Sequence, residues 1–592
     1  MLHKKIRHKK LARWIGGIAL FLLVLLGGAA IYINAKWKPI LGEKIRQGVE
    51  ESSGHLYYID FKDIHINLLS GNVVLDSLKL TPDTNIFNKL KKINKAPTHL
   101  YRIKLAHLKF SRVGILNAYL NKKIKINSIV LDHPSIDMIF HKVPKKPDTV
   151  KVEKTLYQQL SKSISSLHIG NIRVIDADFD YYSGTKKLNV VKHLKIDVKD
   201  FLVDSISQYD STRVLHAKNI GFELAGYQSL TADQMYTIKV DSLKGSISRK
   251  TMILKGLKLI PMYPDLTFSR KYKVQKDRYS LSFTEMELTG LDFLSLHSNG
   301  SLHAGHLAIG AAKVAVFLNR ELPPPSFDKG RNYPHNALKR LPIATRIDTV
   351  SLKGVDVAYT EYDTKTNERG TLKLENLGGK IFNVSNDSLR LLKHPHAYAD
   401  LSTKILGTGK LNVKIDFNLT DKNAAFSYTG HVEPFDMRIL NPLASSLGLV
   451  SIESGKVKQL DFNISANERR SAGTVKFLYN DLKVSLLKEN EAGEKKKKGL
   501  LSFLANAILI KNDNPSKGDP VRIAHVTMER VPQASFFNLM WKSVFLGIRE
   551  AVGIGVVPIK PMVEPKKSRE EMREKREAER RKEKPKQPKK IG

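Results

Sequence analysis

Three aspartates at alternate positions, Asp176, Asp178 and Asp180, form the best carboxylate cluster for chemistry in this sequence. On a β-strand, alternate side chains share one face, so the three carboxylates could together bind Ca²⁺. A similar stretch in the second half of the chain has an aspartate at only one of the three positions, Asp356. A solvent-facing strand edge therefore explains the cluster better than a metal site does.

Other residue types that catalysis or metal binding requires are missing or wrongly spaced. The 592 residues include no cysteine, which excludes disulfides, thiolate zinc sites and cysteine nucleophiles. No two histidines have the spacing of a zinc site on a helix, and GTGKL at 407–411 lacks the spacing and the Ser/Thr of a P-loop. We therefore expect no catalytic residue, no metal, no cofactor and no enzymatic activity.

The chain is strongly basic, with 98 Lys and Arg against 58 Asp and Glu and a net charge of +40. Six basic residues lie in the head, 1–13, and 13 lie in the tail, 565–592, so much of the excess belongs to the body. Such a surface favours anionic partners in general. The Lys/Arg/Glu tail is typical of a solvated helix or of a segment that docks on an acidic surface.

The segment after the head has the length and composition of a membrane anchor. Residues 14–34 contain no charge and can cross about 30 Å of hydrocarbon as a helix. Trp14 and Tyr32 lie near its ends, where aromatic rings prefer the interface, and Leu20 and Leu23 lie within it. The basic head predicts a cytoplasmic N-terminus and a body across the membrane. The alternative is a cleaved signal peptide, whose apolar core is usually shorter.

Apolar and polar residues alternate through most of the body, which is typical of half-buried β-strands. We predict strands at 72–81, 100–110, 123–132 and 135–141, and a helix over 156–167. The expected fold is mainly β, a β-rich α+β protein. It would have an elongated, repeat-like, curved antiparallel sheet or groove with short helices, preceded by one N-terminal transmembrane helix.

One strand pattern is written twice. The leucines of VVLDSLKLTP, at 73–82, recur in MILKGLKLIP, at 252–261. They are Leu75, Leu78 and Leu80 in the first copy and Leu254, Leu257 and Leu259 in the second. Two further blocks match at nearly the same offset, with a proline-marked linker between them in both copies. Three matches in register indicate an internal duplication.

These features divide the chain into seven segments. They are a basic head (1–13), the anchor (14–34), β-rich repeat 1 (35–200), β-rich repeat 2 (201–385), a third β-rich region (386–487), a charged loop with a C-terminal amphipathic helix (488–564) and a basic tail (565–592). The amphipathic helix carries Phe537, Trp541, Val544 and Ile548 along a wide apolar face. Two charged residues within it disfavour a bilayer crossing, so it either caps a core or lies flat on a membrane.

Several blocks, in their order along the chain, resemble the AsmA-like family of bacterial envelope proteins, especially its long members of uncharacterised function. They are the anchor followed by GVEESSGHLYYIDFKDIHINLLSGNVVLDSLKLTPD, then INSIVLDHPSIDMIF, LNVKIDFNLTDKNAAFSYTGHVEPFDMRILNPL, SGKVKQLDFNISANERRSAGTVKFLYNDLKV and SFFNLMWKSVFLGIREAVG. The resemblance implies an inner-membrane anchor and an elongated β-rich body in the periplasm. Some members of this wider group are thought to conduct lipids between membranes along an apolar groove.

Two hypotheses follow, because one apolar face of each strand must be covered either by protein or by acyl chains. In the first, the protein handles lipid or supports outer-membrane assembly, and the six duplicated leucines line a groove with phospholipid as cargo. In the alternative, it is a structural or adaptor protein with sealed β-sandwich cores that binds an acidic protein or glycan. Membrane lipids and envelope proteins are the expected partners. Nucleic acid is not expected, because no nucleic-acid-binding module is recognisable and the body is exported.

Overall fold

The computed structural model describes most of the body of the chain. The described residues are 37–67, 70–114, 120–142, 155–161, 164–363, 368–442, 450–489, 495–497 and 510–553. Strands make up 55% and helices 17%, in one large curved, mixed sheet with few short helices. The predicted mainly β class is therefore confirmed. The predicted head, anchor and tail lie outside the described residues.

Repeat 1 contains the first eight strands. They are β1 (Tyr57–Asp60), β2 (Asp63–Asn67), β3 (Asn72–Pro82), β4 (His99–Ser111), β5 (Lys123–Asp132), β6 (Ser135–Phe140), β7 (Ser166–Ser183) and β8 (Lys186–Val203). Its helices are α1 (Trp37–Ser52), α2 (Thr84–Lys92) and α3 (Leu156–Leu160). The four predicted strands agree with β3 to β6 within one residue at each end. The helix predicted over 156–167 is wrong beyond Leu160, because Ser166 already pairs with β5 as the first residue of β7.

The second repeat follows the same order of strands after β9 and β10. Its strands, with those two, are β9 (Ala217–Leu224), β10 (Tyr227–Leu230), β11 (Tyr236–Val240), β12 (Ser242–Ser246), β13 (Thr251–Pro261), β14 (Arg278–Thr289), β15 (Leu302–Ile309), β16 (Ala312–Asn319), β17 (Thr345–Asp363) and β18 (Glu368–Ser385). The helices are α4 (Asp265–Ser269), α5 (Phe293–Ser298), α6 (Pro334–Lys339) and α7 (Ser388–Lys393). Thus β11 to β18 match β1 to β8 in order.

The third region completes the sheet and ends in a longer helix. Its strands are β19 (His396–Ile405), β20 (Gly409–Asn418), β21 (Phe426–Val432), β22 (Phe435–Asp436), β23 (Val450–Ala466), β24 (Arg470–Glu489), β25 (Lys495–Lys497) and β26 (Ile523–Glu529). The helix is α8 (Phe536–Ala551). Single turns of 3₁₀-helix lie at Ser207–Tyr209, Lys329–Asn332 and Met437–Leu440.

Strands that follow one another in sequence are mostly neighbours in the sheet, so the sheet continues across all three regions through β8–β9 and β18–β19 pairing. The expected antiparallel sheet is wrong in one respect, because β5 and β6 pair in parallel with β7, and β15 and β16 with β17. Parallel pairing requires a crossover connection between the two strands. In both repeats this crossover contains a short helix, α3 or α6, and returns the chain to the edge on which β5 or β15 begins. At about 4.8 Å per strand position, the sheet is roughly 90 Å long.

Two long edges bound the sheet. We call the edge on which β3, β7, β13 and β17 begin the near edge, and the edge on which these strands end the far edge. The turns after β8 and β18 therefore lie at the near edge, and α2 and α4 lie at the far edge. The first turn of α8 also lies at the near edge, where the ring of Phe536 is 5.0 Å from that of Phe426, the first residue of β21.

A series of β-bulges bends the strands near their middle. Ser77 in β3 and Asp176 in β7 have φ angles of 52° and 56°, and the equivalent Gly256 and Gly354 have 64° and 72°. A left-handed residue within a strand interrupts the ladder and increases the local bend and twist. Position 256 also requires glycine, because a Cβ there would lie 1.9 Å from the carboxylate of Asp241. We call the face of the sheet that carries the apolar side chains the inner face.

Candidate functional site

The inner face of the sheet is apolar from one strand to the next. Residues that pair directly across neighbouring strands lie on the same face of a sheet. One row of such pairs in the second repeat is Ile238, Leu259, Leu281, Val314 and Val357. A second row, on the other side of the bulges, is Leu243, Leu254, Met286, Ile309 and Leu352. Together the rows form a continuous apolar surface across the strands.

Helices cover the inner face at both ends of the sheet. At the first end, Ile45 and Val49 of α1 are buried in the same hydrophobic cluster as β1 to β7, and Phe87 of α2 joins them. At the last end, α8 packs on β24 and β26, and its Leu539 is fully buried. Both ends of the sheet therefore have closed hydrophobic cores.

The two sets of predicted groove leucines lie in different surroundings. In repeat 1, Leu75, Leu78 and Leu80 are exposed by 1%, 6% and 5% within the closed core. In repeat 2, Leu254, Leu257 and Leu259 are only half-buried. Helices α4 to α7 have only five or six residues each and cover this part of the sheet only locally. Leu259 packs against a small buried cluster around Phe268 of α4, and Met252 packs against another around Leu291, next to α5. Among the described residues, much of the inner face between β8 and β18 is thus only half-buried, and we call this stretch the open groove.

A polar cluster lies on the inner face between the open groove and the closed core at α8. Arg320 and Glu361 form an ion pair, and the Tyr359 hydroxyl donates a hydrogen bond of 2.9 Å to Oε1 of Glu361. Asp277 lies beside them, with its Oδ2 atom 3.9 Å from Nζ of Lys329. These residues are not among those predicted from the sequence. Their signal is a polar pattern, YTEYD, at the end of a strand whose preceding inner-face positions are apolar.

Burial shifts the pKa values of three groups in or beside this cluster, Asp277, Tyr279 and Lys542, in the direction that favours their uncharged forms. It raises the pKa of Asp277 above its ordinary 3.8, against the attraction of Lys329. Burial and the nearby Asp277 raise the pKa of Tyr279 to about 12. The pKa of Lys542, on α8, falls below 10.5 because of burial first and the charge of Arg320 second. The cluster therefore holds ionisable groups where water solvates them poorly.

The aspartate cluster that began the sequence analysis is divided among separate partners. Asp176 accepts from Nδ1 of His193 at 2.7 Å, and Asp178 from Nζ of Lys192 at 2.7 Å. Asp180 accepts from Lys187 Nζ at 2.6 Å. The bulge at Asp176 changes the strict alternation that a shared site needs. In the part of the chain that the structure describes, no group of three or more His, Asp or Glu side chains could hold a metal ion.

Helix α8 buries one face and exposes a second apolar face. Ser535 caps its N-terminus by accepting from the backbone N–H of Asn538 at 3.3 Å. Of the four predicted face residues, Val544 is buried and Ile548 packs against the last core, so the helix closes the end of the sheet. Phe537 is 71% exposed and Trp541 42%. The alternative prediction, that this helix lies flat on a membrane, therefore stays open, because α8 exposes apolar side chains that a membrane could contact.

The predicted anchor residues Trp14, Leu20, Leu23 and Tyr32 lie outside the described residues. Within the ranges that the structure describes, no helix combines the length and the apolar character that a bilayer crossing requires. The anchor thus remains a prediction from sequence, and the described body supplies the groove.

Comparisons with known proteins do not identify the chain. No protein-family model matches it, and no curated protein sequence matches it. The functional conclusion therefore depends on the groove and on the residues that line it.

Proposed function

We propose that this protein binds the hydrocarbon chains of lipids in its open groove and passes them along the sheet. The observation that supports this function best is the contrast between the two repeats. The same leucine pattern is buried in a closed core in repeat 1 and only half-buried in repeat 2. An open apolar strip in water is unfavourable by about 25 cal/mol per Å². Acyl chains would cover it and gain about 0.8 kcal/mol per buried methylene group.

The dimensions of the groove favour long, linear ligands. From β8 to β18 the open stretch spans seven steps between strand positions, or roughly 34 Å. One acyl chain occupies about 15 Å, half of the 30 Å hydrocarbon core of a bilayer. The stretch could therefore hold about two chains end to end. The polar cluster around Arg320 and Glu361, where the groove ends, offers charged partners to a headgroup.

We propose that the protein binds and passes on lipids in the bacterial envelope. The anchor predicted over 14–34 would hold the protein in the inner membrane with its body in the periplasm. The resemblance to AsmA-like proteins supports the same location and a role in transport toward, or assembly of, the outer membrane. The sequence has no recognisable nucleotide-binding motif, so directional transport would draw its energy from a partner protein.

The test compares two substitutions to aspartate on the same strand, β13. Leu257 lies on the inner face of β13, whereas Ile260 lies on the opposite face and is 38% exposed. The full chain is extracted in detergent, and co-purified phospholipid is quantified by mass spectrometry. We expect lipid in the wild type, a several-fold loss in Leu257→Asp and little loss in Ile260→Asp. A lipid-free wild type, or equal lipid in both variants, would contradict the proposal.

The closed cores at the two ends support a second candidate, a structural or adaptor protein that binds an acidic protein or glycan through its basic surface. Such binding would depend on exposed charge and be screened within about 8 Å at physiological salt. A pull-down whose yield collapses with added salt, from protein that carries no lipid, would favour this candidate over the first.

A further inference from the structure

The most exposed large apolar side chains of the described residues lie along one edge of the sheet. Six of them are exposed by between 70% and 82%, and all six lie in near-edge turns or in the first turn of α8. They are Leu120, Ile206, Tyr209, Leu389, Leu392 and Phe537. The far edge has no comparable residue among those described, and its Ile93 is exposed by 58%. Single exposed apolar side chains are common on protein surfaces, so the informative observation is that the six most exposed ones all lie on one edge.

Four of these residues come from two similar turns, one after β8 and one after β18. Ile206 and Tyr209 after β8 correspond, with the same separation, to Leu389 and Leu392 after β18. In the first turn, Oδ1 of Asp204 accepts from the backbone N–H groups of Ile206 and Ser207 at 3.0 and 2.7 Å.

Asp387 caps the second turn in the same way. Its Oδ1 accepts from the N–H groups of Leu389 and Arg390 at 2.9 and 3.2 Å. Both turns thus have the same capped geometry and present two apolar side chains at positions i and i+3. Neither turn needs these side chains for its own hydrogen bonding, so their exposure is a property of the surface.

The charges of the near edge are arranged asymmetrically. Its aspartates turn back to cap backbone N–H groups and are half-buried, as Asp204, Asp292, Asp387 and Asp421 show. Arg213 is buried and Glu529, at the end of β26, is an exposed acid, but many of the basic side chains at this edge are exposed. The exposed ones are Lys122, Lys123, Arg249, Lys250, Arg340, Lys393, Lys422, Arg469 and Arg470. The near edge therefore offers water a row of apolar tips among positive charges.

We propose that the near edge docks on the surface of a bilayer that contains anionic lipid. Isolated Leu, Ile, Tyr and Phe side chains at turn tips suit insertion into the headgroup region, and exposed Lys and Arg attract anionic headgroups. The six residues are spread over most of the sheet, which fits an extended surface better than a compact binding site. The inference rests on the proposed lipid-binding function, because a bilayer there would lie beside the open groove.

The absence of cysteine provides a direct test, since an introduced cysteine would be the sole thiol for labelling. Leu392→Cys and Tyr209→Cys carry an environment-sensitive dye, and Ile93→Cys at the far edge is the matched control. The full-length proteins are reconstituted in nanodiscs, and vesicles of phosphatidylglycerol or phosphatidylcholine are added. We expect a blue shift and increased emission at positions 392 and 209 with phosphatidylglycerol only, reduced by salt, and little change at 93.

Two results would overturn the proposal. One is an equal response, or none, at all three positions. The other is a blue shift at 392 that appears without vesicles and grows with protein concentration, which would show that a second copy of the chain covers the edge.

A double variant separates this proposal from the proposed function. Leu389→Ser with Leu392→Ser should lower binding to phosphatidylglycerol vesicles about tenfold or more, because two inserted side chains are lost. Its co-purified lipid should equal that of the wild type, since neither residue lines the groove. If vesicle binding is unchanged, docking by this edge is refuted and the groove proposal stands. If the wild type binds vesicles but carries no lipid, the groove proposal fails and docking stands.

Discussion

The residues with the most unusual surroundings are the buried ionisable groups beside the groove. Burial disfavours the charged form of Asp277 in the folded state and therefore raises its pKa. The nearest cation that faces it is Lys329, at 3.9 Å, and Glu361 adds repulsion. A lipid headgroup bound at the polar cluster would contact ionisable groups whose charge depends on how much water remains around them.

We therefore expect the stability of Asp277→Asn, relative to that of the wild type, to increase as the pH rises. Because the folded-state pKa lies above 3.8, the native protein binds more protons than the unfolded chain just above this value. The contribution of Asp277 to stability is thus largest at low pH and declines as pH rises through the folded-state pKa. Urea midpoints of wild type and variant, measured from pH 4 to pH 7, should diverge in favour of the variant. A constant difference would contradict burial as the cause of the shift.

At the scale of elements, the sheet depends on the helices at its ends. The close approach of α8 to the sheet is visible at Gly547, where a Cβ would lie 2.4 Å from Cβ of Val475. The exposed side of the same helix contributes little to this packing. The two sides of α8 should therefore respond very differently to the loss of a large side chain.

Leu539→Ala should destabilise the last region by about 2–5 kcal/mol, because it leaves a cavity in a fully buried position. Phe537→Ala, 71% exposed, removes more atoms but should change stability by less than about 1 kcal/mol. Urea midpoints and limited proteolysis near 536–551 give the measurement. Equal effects of the two changes would mean that α8 does not seal this end of the sheet.

At the scale of the whole molecule, the duplication provides two versions of one design. The strand β3 and its copy β13 have the same leucines, yet all three are buried in a closed core on β3, whereas on β13 they are half-buried and only Leu259 packs against a buried cluster, the one around Phe268 of α4. Since the duplicated pattern is the same, the difference arises from what each repeat adds around its sheet. Repeat 1 has α1 and α2, whereas repeat 2 has only short helices at the edges.

Equivalent substitutions should expose this difference. Leu78→Asp places a charge in a closed core at a position 6% exposed, and should destabilise repeat 1 by several kcal/mol. Leu257→Asp, the equivalent change in β13, places its charge beside water and should cost much less. Thermal unfolding followed by circular dichroism compares them. If both variants unfold alike, the groove is closed in solution and lipid has no room in it.

The mainly β fold and the four strands of repeat 1 could be predicted because they depend on local alternation. Other features could not. The helix predicted over 156–167 is wrong at its C-terminal end, because Ser166 and Leu167 pair with β5, a partner distant in sequence. Parallel pairing and the bulge at Asp176, which breaks up the aspartate cluster, depend on partners distant in sequence.

The sequence by itself determined which residues are apolar on each strand, and that the pattern occurs twice. Only the tertiary structure decided which copy is sealed and which is open, because burial depends on helices that come from elsewhere in the chain. It also decided that Ile206, Tyr209, Leu389 and Leu392 lie on one edge, among basic side chains. Exposure is a property of the assembled surface, and no local pattern in the sequence specifies it.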